Sequence, residues 1–473
     1  MLKSLFLNPP SFNGFDGGAG SRYQCTREVR SFWYPTWLAQ PAALVEGSRL
    51  IDAPARGLSL EEVLPLASDY ELLVLYTSTP SFVNDVLVAE SFKSANPDLL
   101  IGFCGAHVAV NPDHSILASA AIDFVARNEF DFTIREIAEG RPFAEIDGLT
   151  YRKDGKVIHN KERAILHDMD QLPWVTRVYK ENLVPEDYYN GYMLHPYMSF
   201  YTGRGCKSRC TFCLWPQTIG GHNYRTRSVA NIAAEVAWAH SNFPQIKEFF
   251  FDDDTLTDNI PHVEALAREM GRLGITWSCN AKANVPYETL KIMKDNGLRL
   301  LLVGYESGNK QILINIKKGL RLDVARQFTR DCHQLGILIH GTFILGLPGE
   351  TQETIEETIK YAQELNPQTI QVSLPAAYPG TVLYRQAMEY GWFVDDDSLV
   401  GQNGIQHSVL NYPHLSSAEI FEAVDNFYKR FYFRPRKMAA LFFEMCQDWD
   451  LMKRRLREGV EFFKFLFARE SAV

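Results

Sequence analysis

The stretch Thr202-Gly-Arg-Gly-Cys206-Lys-Ser-Arg-Cys210-Thr-Phe-Cys213 holds three thiols in a C-x3-C-x2-C spacing. Cysteine thiolates bind iron–sulfur clusters, and a [4Fe–4S] cluster has four irons, so three thiolates leave one iron for a ligand that is not protein. The next cysteine along the chain is Cys279. An open iron can bind a substrate, so the spacing predicts a catalytic [4Fe–4S] cluster held by Cys206, Cys210 and Cys213. Structural zinc is the alternative, although zinc usually takes four Cys or His ligands, and His222 is the only histidine near in sequence.

Length and composition limit the remaining possibilities. A chain of 473 residues is expected to form two or three domains. Its 57 acidic residues outnumber its 48 basic ones, which argues against nucleic acid as a partner. The apolar run at the N-terminus is too short for a signal peptide, and no apolar stretch is long enough to cross a membrane. We therefore expect a cytoplasmic protein with reduced thiols.

Two alternating patterns of strands and helices predict an α/β fold. Residues 1–145 predict a Rossmann-like, doubly wound parallel sheet, and residues 146–195 predict a linker with a small hairpin at Asp154-Gly155. Residues 196–400 predict six βα units forming a partial barrel, and the cysteine loop follows its first strand. The predicted strands are Leu2–Leu7, Arg49–Asp52, Glu71–Thr77, Leu99–Cys104 and Ile122–Ala126, then Met198–Thr202, Glu248–Phe251, Ile275–Ala281, Leu298–Gly304, Ile337–Leu345 and Thr369–Leu374.

The last segment, residues 401–473, is predicted to be helical. Between Lys429 and Arg457 it carries nine basic and three acidic residues, interleaved with aromatic side chains. These helices could pack over the open mouth of the barrel. They could instead contact an anionic membrane surface or a lipid, as basic amphipathic helices with aromatic faces do. Both interpretations are compatible if the helices cover a pocket for an apolar substrate.

With Phe212 before its third cysteine, the loop resembles that of the radical S-adenosylmethionine (SAM) superfamily. The resemblance implies that the amino and carboxylate groups of SAM chelate the fourth iron. It also implies that reduction, by a flavodoxin- or ferredoxin-type partner, cleaves SAM to methionine and a 5′-deoxyadenosyl radical.

The resemblance extends to later loops, each after a predicted strand; ordinary loop chemistry is the alternative for all of them. Residues implied to contact SAM are Asp252, Asp253, Asp254, Glu306, Ser307, Gly341, Gly346 and Gly349. Glu306 and Tyr378 are the candidates for a catalytic role.

The first domain resembles the cobalamin-binding domain that precedes the barrel in one radical SAM class. Cobalamin domains often carry Asp-x-His-x-x-Gly, and here Asp52-Ala-Pro54-Ala-Arg-Gly57 has proline in place of the histidine. No imidazole can therefore bind cobalt from this position, but relatives without the histidine still bind cobalamin. Cobalamin thus stays an expected cofactor beside the cluster and SAM. The turn Gly102–His107 could approach its nucleotide tail or corrin edge.

The stretches Leu5–Gly20 and Arg27–Trp37 resemble the hopanoid-biosynthesis-associated radical SAM family. This resemblance implies a hopanoid-type lipid or glycoside as substrate. The implied reaction contracts a six-membered amino sugar of its head group to a five-membered carbocycle, which gives a cyclitol ether. Two alternatives stay open: a cobalamin-dependent methylase of a hopanoid or other lipid, and a non-catalytic iron–sulfur protein. The expected location is cytoplasmic, with peripheral contact at the inner membrane face through the C-terminal region.

Overall fold

The fold is described from a computed structural model for residues 1–11, 29, 31–394, 399, 406–446 and 449–470. Most of the opening stretch Leu5–Gly20 and part of Arg27–Trp37 lie outside these residues. Within the described ranges the chain forms two sheets with parallel cores and a C-terminal group of helices. This architecture confirms the predicted α/β fold class.

The first sheet has seven strands in the order β2-β1-β3-β4-β5-β6-β7. Strands β1 to β5 are parallel, with the 2-1-3-4-5 order of doubly wound sheets. The predicted hairpin forms β6 and β7 and pairs antiparallel with β5, so the sheet extends to His159 rather than ending near residue 145. The strands are β1 (Ser4–Asn8), β2 (Arg49–Asp52), β3 (Leu72–Tyr76), β4 (Leu100–Cys104), β5 (Phe124–Ala126), β6 (Leu149–Lys153) and β7 (Lys156–His159).

The second sheet has six parallel strands in the order β15-β14-β13-β12-β11-β8. Each strand neighbours the next in sequence, as in a barrel that is not closed. A two-stranded ribbon, β9 and β10, follows the first barrel strand on either side of the cysteine loop. The strands are β8 (Tyr197–Phe200), β9 (Gly203–Arg204), β10 (Arg225–Thr226), β11 (Glu248–Phe251), β12 (Trp277–Ala281), β13 (Leu298–Glu306), β14 (Leu338–Ile344) and β15 (Thr369–Ser373).

Helices cover both sheets, and the barrel helices begin and end at residues with clear capping roles. Asn259 accepts a hydrogen bond from the His262 amide at one helix start, and Gly274 and Gly336 end two helices in the left-handed conformation. The helices are α1 (Thr36–Leu44), α2 (Ala53–Arg56), α3 (Leu60–Val63), α4 (Phe82–Ala95), α5 (Ala106–Val110), α6 (Pro112–Leu117), α7 (Asp131–Ala138), α8 (Val175–Asn182), α9 (Leu214–Thr218), α10 (Val229–Asn242), α11 (Ile260–Leu273), α12 (Tyr287–Asp295), α13 (Lys310–Asn315), α14 (Leu322–Leu335), α15 (Gln352–Leu365), α16 (Val382–Tyr390), α17 (Ser417–Tyr432), α18 (Pro435–Met445) and α19 (Trp449–Glu470).

Buried ion pairs join the first domain to the barrel. Arg204 on β9 donates two hydrogen bonds to the Asp131 carboxylate on α7, at 2.6 and 3.0 Å. Arg225 on β10 binds Glu129 in the same way, and all four side chains are buried. Bidentate arginine–carboxylate pairs fix orientation as well as distance. The ribbon next to the cysteine loop is therefore held in one position against the first domain.

The C-terminal helices pack against the last barrel strand and its helix. The Tyr428 hydroxyl on α17 accepts a hydrogen bond from the Val372 amide on β15, at 2.8 Å. Arg469 on α19 donates to Asp425 on α17 at 2.6 Å. None of the helices in the described ranges combines the length and apolar character that a membrane span requires.

Candidate active site

A cavity of about 310 Å³ lies at the carboxyl ends of the barrel strands. Cys206, Cys210 and Cys213 all line it, and the first two are buried. Barrel enzymes carry their chemistry at this end, and the first-strand loop brings the thiols there. The three cysteines thus line the same cavity.

Hydrogen bonds from a neighbouring side chain to backbone carbonyls hold the cysteine loop in place. The Gln217 side-chain amide on α9 donates to the carbonyls of Cys210 and Cys213, at 3.3 and 2.7 Å. Gly205 has φ +88°, and a Cβ at this position would overlap the Asn223 carbonyl. Only glycine fits this turn without strain, so Gly205 places the first thiol.

The thiols are poor acids in this environment. Burial raises the pKa of Cys210, and the positive charge of Lys318 opposes that rise in part. Burial, followed by the charge of Asp254, raises the pKa of Cys213 well above its ordinary value. Thiols of this kind become thiolates when a metal binds them. Among the described residues, no three His, Cys, Asp or Glu side chains surround a single metal ion. A [4Fe–4S] cluster has four irons, so its cysteine ligands are spread over the cluster rather than gathered on one ion.

A largely buried ion pair also lines the cavity. The Lys318 ammonium is 2.6 Å from the Glu306 carboxylate, and both residues line the cavity. Glu306 ends β13 with φ +63°, and Gly304 leaves room for the pair because a Cβ there would lie 2.8 Å from the Lys318 nitrogen. Burial lowers the pKa of Lys318, but the charges of Glu306 and Cys210 outweigh it and the net shift is upward. Lys318 therefore stays cationic beside the cluster thiols.

The three predicted aspartates occupy three different environments. Asp254 lines the cavity. Asp253 is fully buried and accepts hydrogen bonds from the Thr202 amide and the Tyr224 hydroxyl, both at 2.6 Å. Burial raises the pKa of Asp253 to about 6, and the hydrogen bonds lower it in part. Asp252 accepts a hydrogen bond from Asn280, which lines the cavity. Asp253 thus braces the start of the cysteine loop, and Asp254 is the one that reaches the cavity.

Several residues of the later loops that were predicted to contact SAM lie outside the cavity lining. Ser307 is not among the cavity-lining residues, and its hydroxyl lies 3.2 Å from that of Thr358. Gly341, Gly346 and Gly349 also lie outside the lining, where the neighbouring positions 342–344 of β14 form the wall. The two later glycines have φ +93° and +86°, which the turn after the strand requires.

Glu350 accounts for the shape of that turn. Its carboxylate accepts hydrogen bonds from the amides of Gly346 and Leu347. Burial raises the pKa of Glu350 to about 7, and the two amides lower it in part. The glycine-rich segment is therefore organised around a buried carboxyl.

The remaining wall is aromatic and apolar. Tyr378, the second predicted catalytic residue, is buried and lines the cavity. Tyr192 and His340 also line it and stack on each other with ring centroids 4.0 Å apart. Sequence reasoning missed Tyr192, His340 and Lys318, which lie outside the motifs and reach the site only through tertiary structure.

The carboxyl edge of the first sheet faces the cysteine segment. Helix α5, after β4, packs on α9, which directly follows Cys213. At Gly380 a Cβ would lie 2.7 Å from Val110 on α5 and 3.1 Å from Thr218 on α9. The strand ends of both sheets therefore meet around α9.

Two residues at the first edge bear on ligand binding. Pro54 is buried in the short helix α2, and the adjacent Asp52 binds Asn8 and Tyr188. His107 on α5 bonds Thr79 through Nδ1 at 3.1 Å, whereas its Nε2 is buried with no hydrogen-bond partner among the described residues. Burial lowers the pKa of His107 to about 4, so the ring is neutral and can accept a hydrogen bond or bind a metal through one nitrogen.

Comparisons with known proteins agree with this geometry. Residues 200–362 match the model of the radical SAM superfamily. An uncharacterized methyltransferase of Pyrococcus horikoshii is 28% identical over 473 residues, covering 97% of this chain and 98% of its own. The structure of the radical SAM methyltransferase TsrM from Kitasatospora setae, with cobalamin and a [4Fe-4S] cluster bound, has a TM-score of 0.66 at 16% identity, covering 92% of this chain and 83% of its own.

A second solved structure is also similar to this chain along most of its length. The cobalamin-dependent SAM radical enzyme OxsB, with aqua-cobalamin and SAM bound, has a TM-score of 0.68 at 13% identity, covering 97% of this chain and 72% of its own. The chain thus shares its overall fold, a doubly wound domain followed by an open barrel, with these two solved enzymes. Residues 200–362 of this chain thus match a radical SAM domain. The predicted cluster, SAM and cobalamin agree with what these solved enzymes bind.

Proposed function

We propose that this chain is a cobalamin-dependent radical SAM methyltransferase that acts on a hopanoid or another lipid. The observation that carries the proposal is the meeting of both sheets around α9, immediately after the third cysteine. Doubly wound sheets bind ligands beyond the carboxyl ends of their strands. A cofactor held at the first edge would therefore face the cluster and the substrate cavity.

The residues of the cavity fit a cluster and SAM. Cys206, Cys210 and Cys213 would hold the cluster. The Asp254 carboxylate suits an ammonium group, and the Lys318 ammonium suits a carboxylate, so the two lining charges match the two ends of an amino acid. When bound, the cluster supplies an electron and SAM supplies a methyl or deoxyadenosyl group, while cobalamin supplies a methyl carrier.

In the first domain, cobalamin would bind at the carboxyl ends of the strands and not through the Asp-x-His-x-x-Gly motif. Pro54 removes the imidazole from that motif. The buried Nε2 of His107 lies at the carboxyl edge without a partner among the described residues, and it can accept a polar group of a bound cofactor. The protein's contribution is to hold the groups in position and exclude water from the cavity.

The substrate class rests on the cavity wall and on the opening sequence. Leu302, Val303, Phe343 and Leu374 give the cavity a largely apolar side, which suits a hydrocarbon skeleton. The likeness of Leu5–Gly20 to the hopanoid-associated family supports a hopanoid. Ring contraction of a hopanoid head group was the main prediction from the sequence, but the comparisons do not support it, and the methyltransferase relatives favour methyl transfer.

The experiment is anaerobic incubation of the reconstituted protein with cobalamin, a reductant, hopanoid substrates and SAM carrying a deuterated methyl group. Mass spectrometry of the lipid products is the readout. Transfer of the labelled methyl group supports the proposal. An isomeric or reduced sugar product without label would instead indicate ring contraction.

Omission of cobalamin and replacement of Cys213 by alanine are the controls. Labelled product that persists without cobalamin would contradict the cofactor assignment. No product from any lipid, with the cluster intact and SAM unconsumed, would favour a non-catalytic iron–sulfur protein.

A further inference from the structure

The C-terminal hairpin of α18 and α19 has an apolar surface that the fold leaves exposed. Eighteen large apolar side chains are exposed in the described part of the chain, and nine of them lie between residues 433 and 467. Less than a tenth of the sequence thus carries half of these side chains. Exposed apolar patches of this kind mark interaction surfaces.

On α19 the exposed side chains form one stripe along the helix. Trp449, Leu456, Val460, Phe463 and Phe467 are separated by seven, four, three and four residues, the spacing of a single helical face. We call this the apolar stripe. Such a row covers five turns of the helix, so it is a continuous surface rather than scattered side chains.

A different face of α19 already packs on the protein. Phe465 and Leu466 are each 5% exposed, and Arg469 is 1% exposed in its ion pair with Asp425. The core contacts of this helix are therefore satisfied without the apolar stripe. The stripe is a second apolar face, which core packing does not explain.

Helix α18 extends the same surface. Phe433, just before α18, stacks on Phe463 of the stripe with ring centroids 6.2 Å apart. Met438 and Phe442, four residues apart on α18, are 53% and 63% exposed, and Phe443 is 67% exposed. Exposed aromatic side chains therefore lie on both helices of the hairpin, and Phe433 before α18 contacts the apolar stripe.

Exposed cations accompany the apolar stripe. The Lys453 ammonium lies 5.3 Å from the centroid of the Trp449 ring, and Lys464 directly follows Phe463. Residues 429–470 contain eleven basic and six acidic residues, although the whole chain has a net charge of −9. Aromatic rings beside cations suit an anionic headgroup layer above acyl chains. Protein–protein interfaces, in contrast, are depleted in lysine.

We propose that the C-terminal hairpin binds the surface of a bilayer containing anionic lipids, with the apolar stripe inserted among the headgroups. The helix that would lie there is fixed to the segment before the first barrel strand: Arg454 donates to the Gly191 carbonyl at 2.7 Å, and Glu458 accepts from Tyr189 at 2.6 Å. Tyr192, next in sequence, lines the cavity. The binding does not depend on the methyl-transfer chemistry.

The test is co-sedimentation of the full-length protein with phosphatidylcholine vesicles that either contain or lack phosphatidylglycerol. We expect the protein to sediment with the anionic vesicles. A variant with Phe442→Ser, Phe443→Ser and Val460→Ser should bind them roughly tenfold or more weakly. A control variant with Leu87→Ser, Leu117→Ser and Met388→Ser, three exposed apolar residues elsewhere, should bind normally.

A variant with Lys453→Glu and Lys464→Glu should lose the preference for anionic vesicles. Circular dichroism and SAM cleavage should be unchanged in every variant, because none of these residues lies at the cavity. Protein that stays in the supernatant with both vesicle types would overturn the proposal. So would a dimer, seen by light scattering without vesicles, that the serine variant dissociates, because a second copy would then cover the stripe.

Discussion

The two large sheets of this chain differ in the side chains at the carboxyl ends of their strands. In the barrel the strand ends surround a cavity, and charged side chains such as Lys318 and Glu306 line it. In the first sheet small polar side chains bond one another: Ser81 donates to Asp85 at 2.7 Å and lies 3.0 Å from the Ser78 hydroxyl. The barrel therefore supplies most of the wall of its cavity, whereas the first domain presents an edge of hydrogen-bonded polar side chains at which a ligand and the barrel can dock.

Loss of a cluster ligand is the largest effect that this contrast predicts. Replacement of Cys206, Cys210 or Cys213 by alanine removes a thiolate that the barrel alone supplies, so SAM cleavage should fall to background. Iron and sulfide analysis of anaerobically prepared protein would show the loss. Cys446→Ala is the matched control, because this thiol is exposed and directly follows α18. If a variant with all three cysteines replaced by alanine kept its full iron, sulfide and activity, these cysteines would not be the cluster ligands.

The docking of the two domains gives the next largest effect. Arg204→Met leaves the Asp131 carboxylate buried without its partner, and breaking a buried pair in this way costs about 3–5 kcal/mol. Denaturant unfolding would measure the loss. The exposed pair of Arg135 and Glu139 provides the control, since Arg135→Met should cost no more than about 1 kcal/mol.

The double variant Arg204→Met with Asp131→Leu sharpens this test. An apolar pair of similar volume leaves no unpaired buried charge at these two positions, so most of the lost stability should return. Equal losses in the single and double variants would show that packing of the arginine against Trp37, rather than the ion pair, holds the domains together.

Lys318 tests the charged side of the barrel site. Lys318→Met should weaken SAM binding roughly tenfold, because a charge-assisted contact to the carboxylate is lost. Lys318→Arg keeps the charge and should retain more of the affinity. Equilibrium binding of SAM to protein with full iron content is the measurement, with Lys291→Met, at a surface ion pair with Asp295, as the control. If the Lys318→Met variant bound SAM with unchanged affinity, the Lys318 ammonium would serve only as the ion-pair partner of Glu306.

The regular part of this fold was readable from sequence. Strands Arg49–Asp52 and Glu248–Phe251 have the predicted bounds, because buried parallel strands are short apolar runs that end at polar residues. The hairpin near Asp154 was also recognised, but not its partner. Pairing with β5 depends on which sheet edge is left open, which is a property of the assembled domain and not of the hairpin sequence.

Some residues of the candidate site were likewise predictable from the sequence, and others were not. The cysteines share one loop, so their spacing was enough to predict that the three thiols lie together, and all three line the cavity. Lys318 reaches the cavity from a segment 105 residues after Cys213, and only the barrel brings the two together. Asp253 and Asp254 are adjacent in a run of three aspartates. The sequence does not distinguish their positions: Asp253 accepts a hydrogen bond from the Thr202 amide, whereas Asp254 lines the cavity.

A pH-dependent effect is expected for one buried carboxyl in each of the two domains. Burial raises the pKa of both Asp85 and Glu350 to about 7, while their hydrogen bonds lower it in part. In the unfolded chain these groups ionise near pH 4. Between about pH 4 and 7 the folded state therefore binds more protons than the unfolded state, and the contribution of each group to stability falls as pH rises.

Asp85→Asn and Glu350→Gln remove this dependence in the first domain and the barrel, respectively. Each variant should gain stability relative to the wild type as the pH rises from about 4 to 7, and the difference should be constant above that range. Denaturant unfolding at several pH values would measure it, with the exposed Glu139→Gln as control. A pH-independent difference for Asp85→Asn, with the expected rise for Glu350→Gln, would show that only the barrel keeps its buried carboxyl protonated. The polar network at the first edge would then carry a negative charge toward whatever ligand docks there.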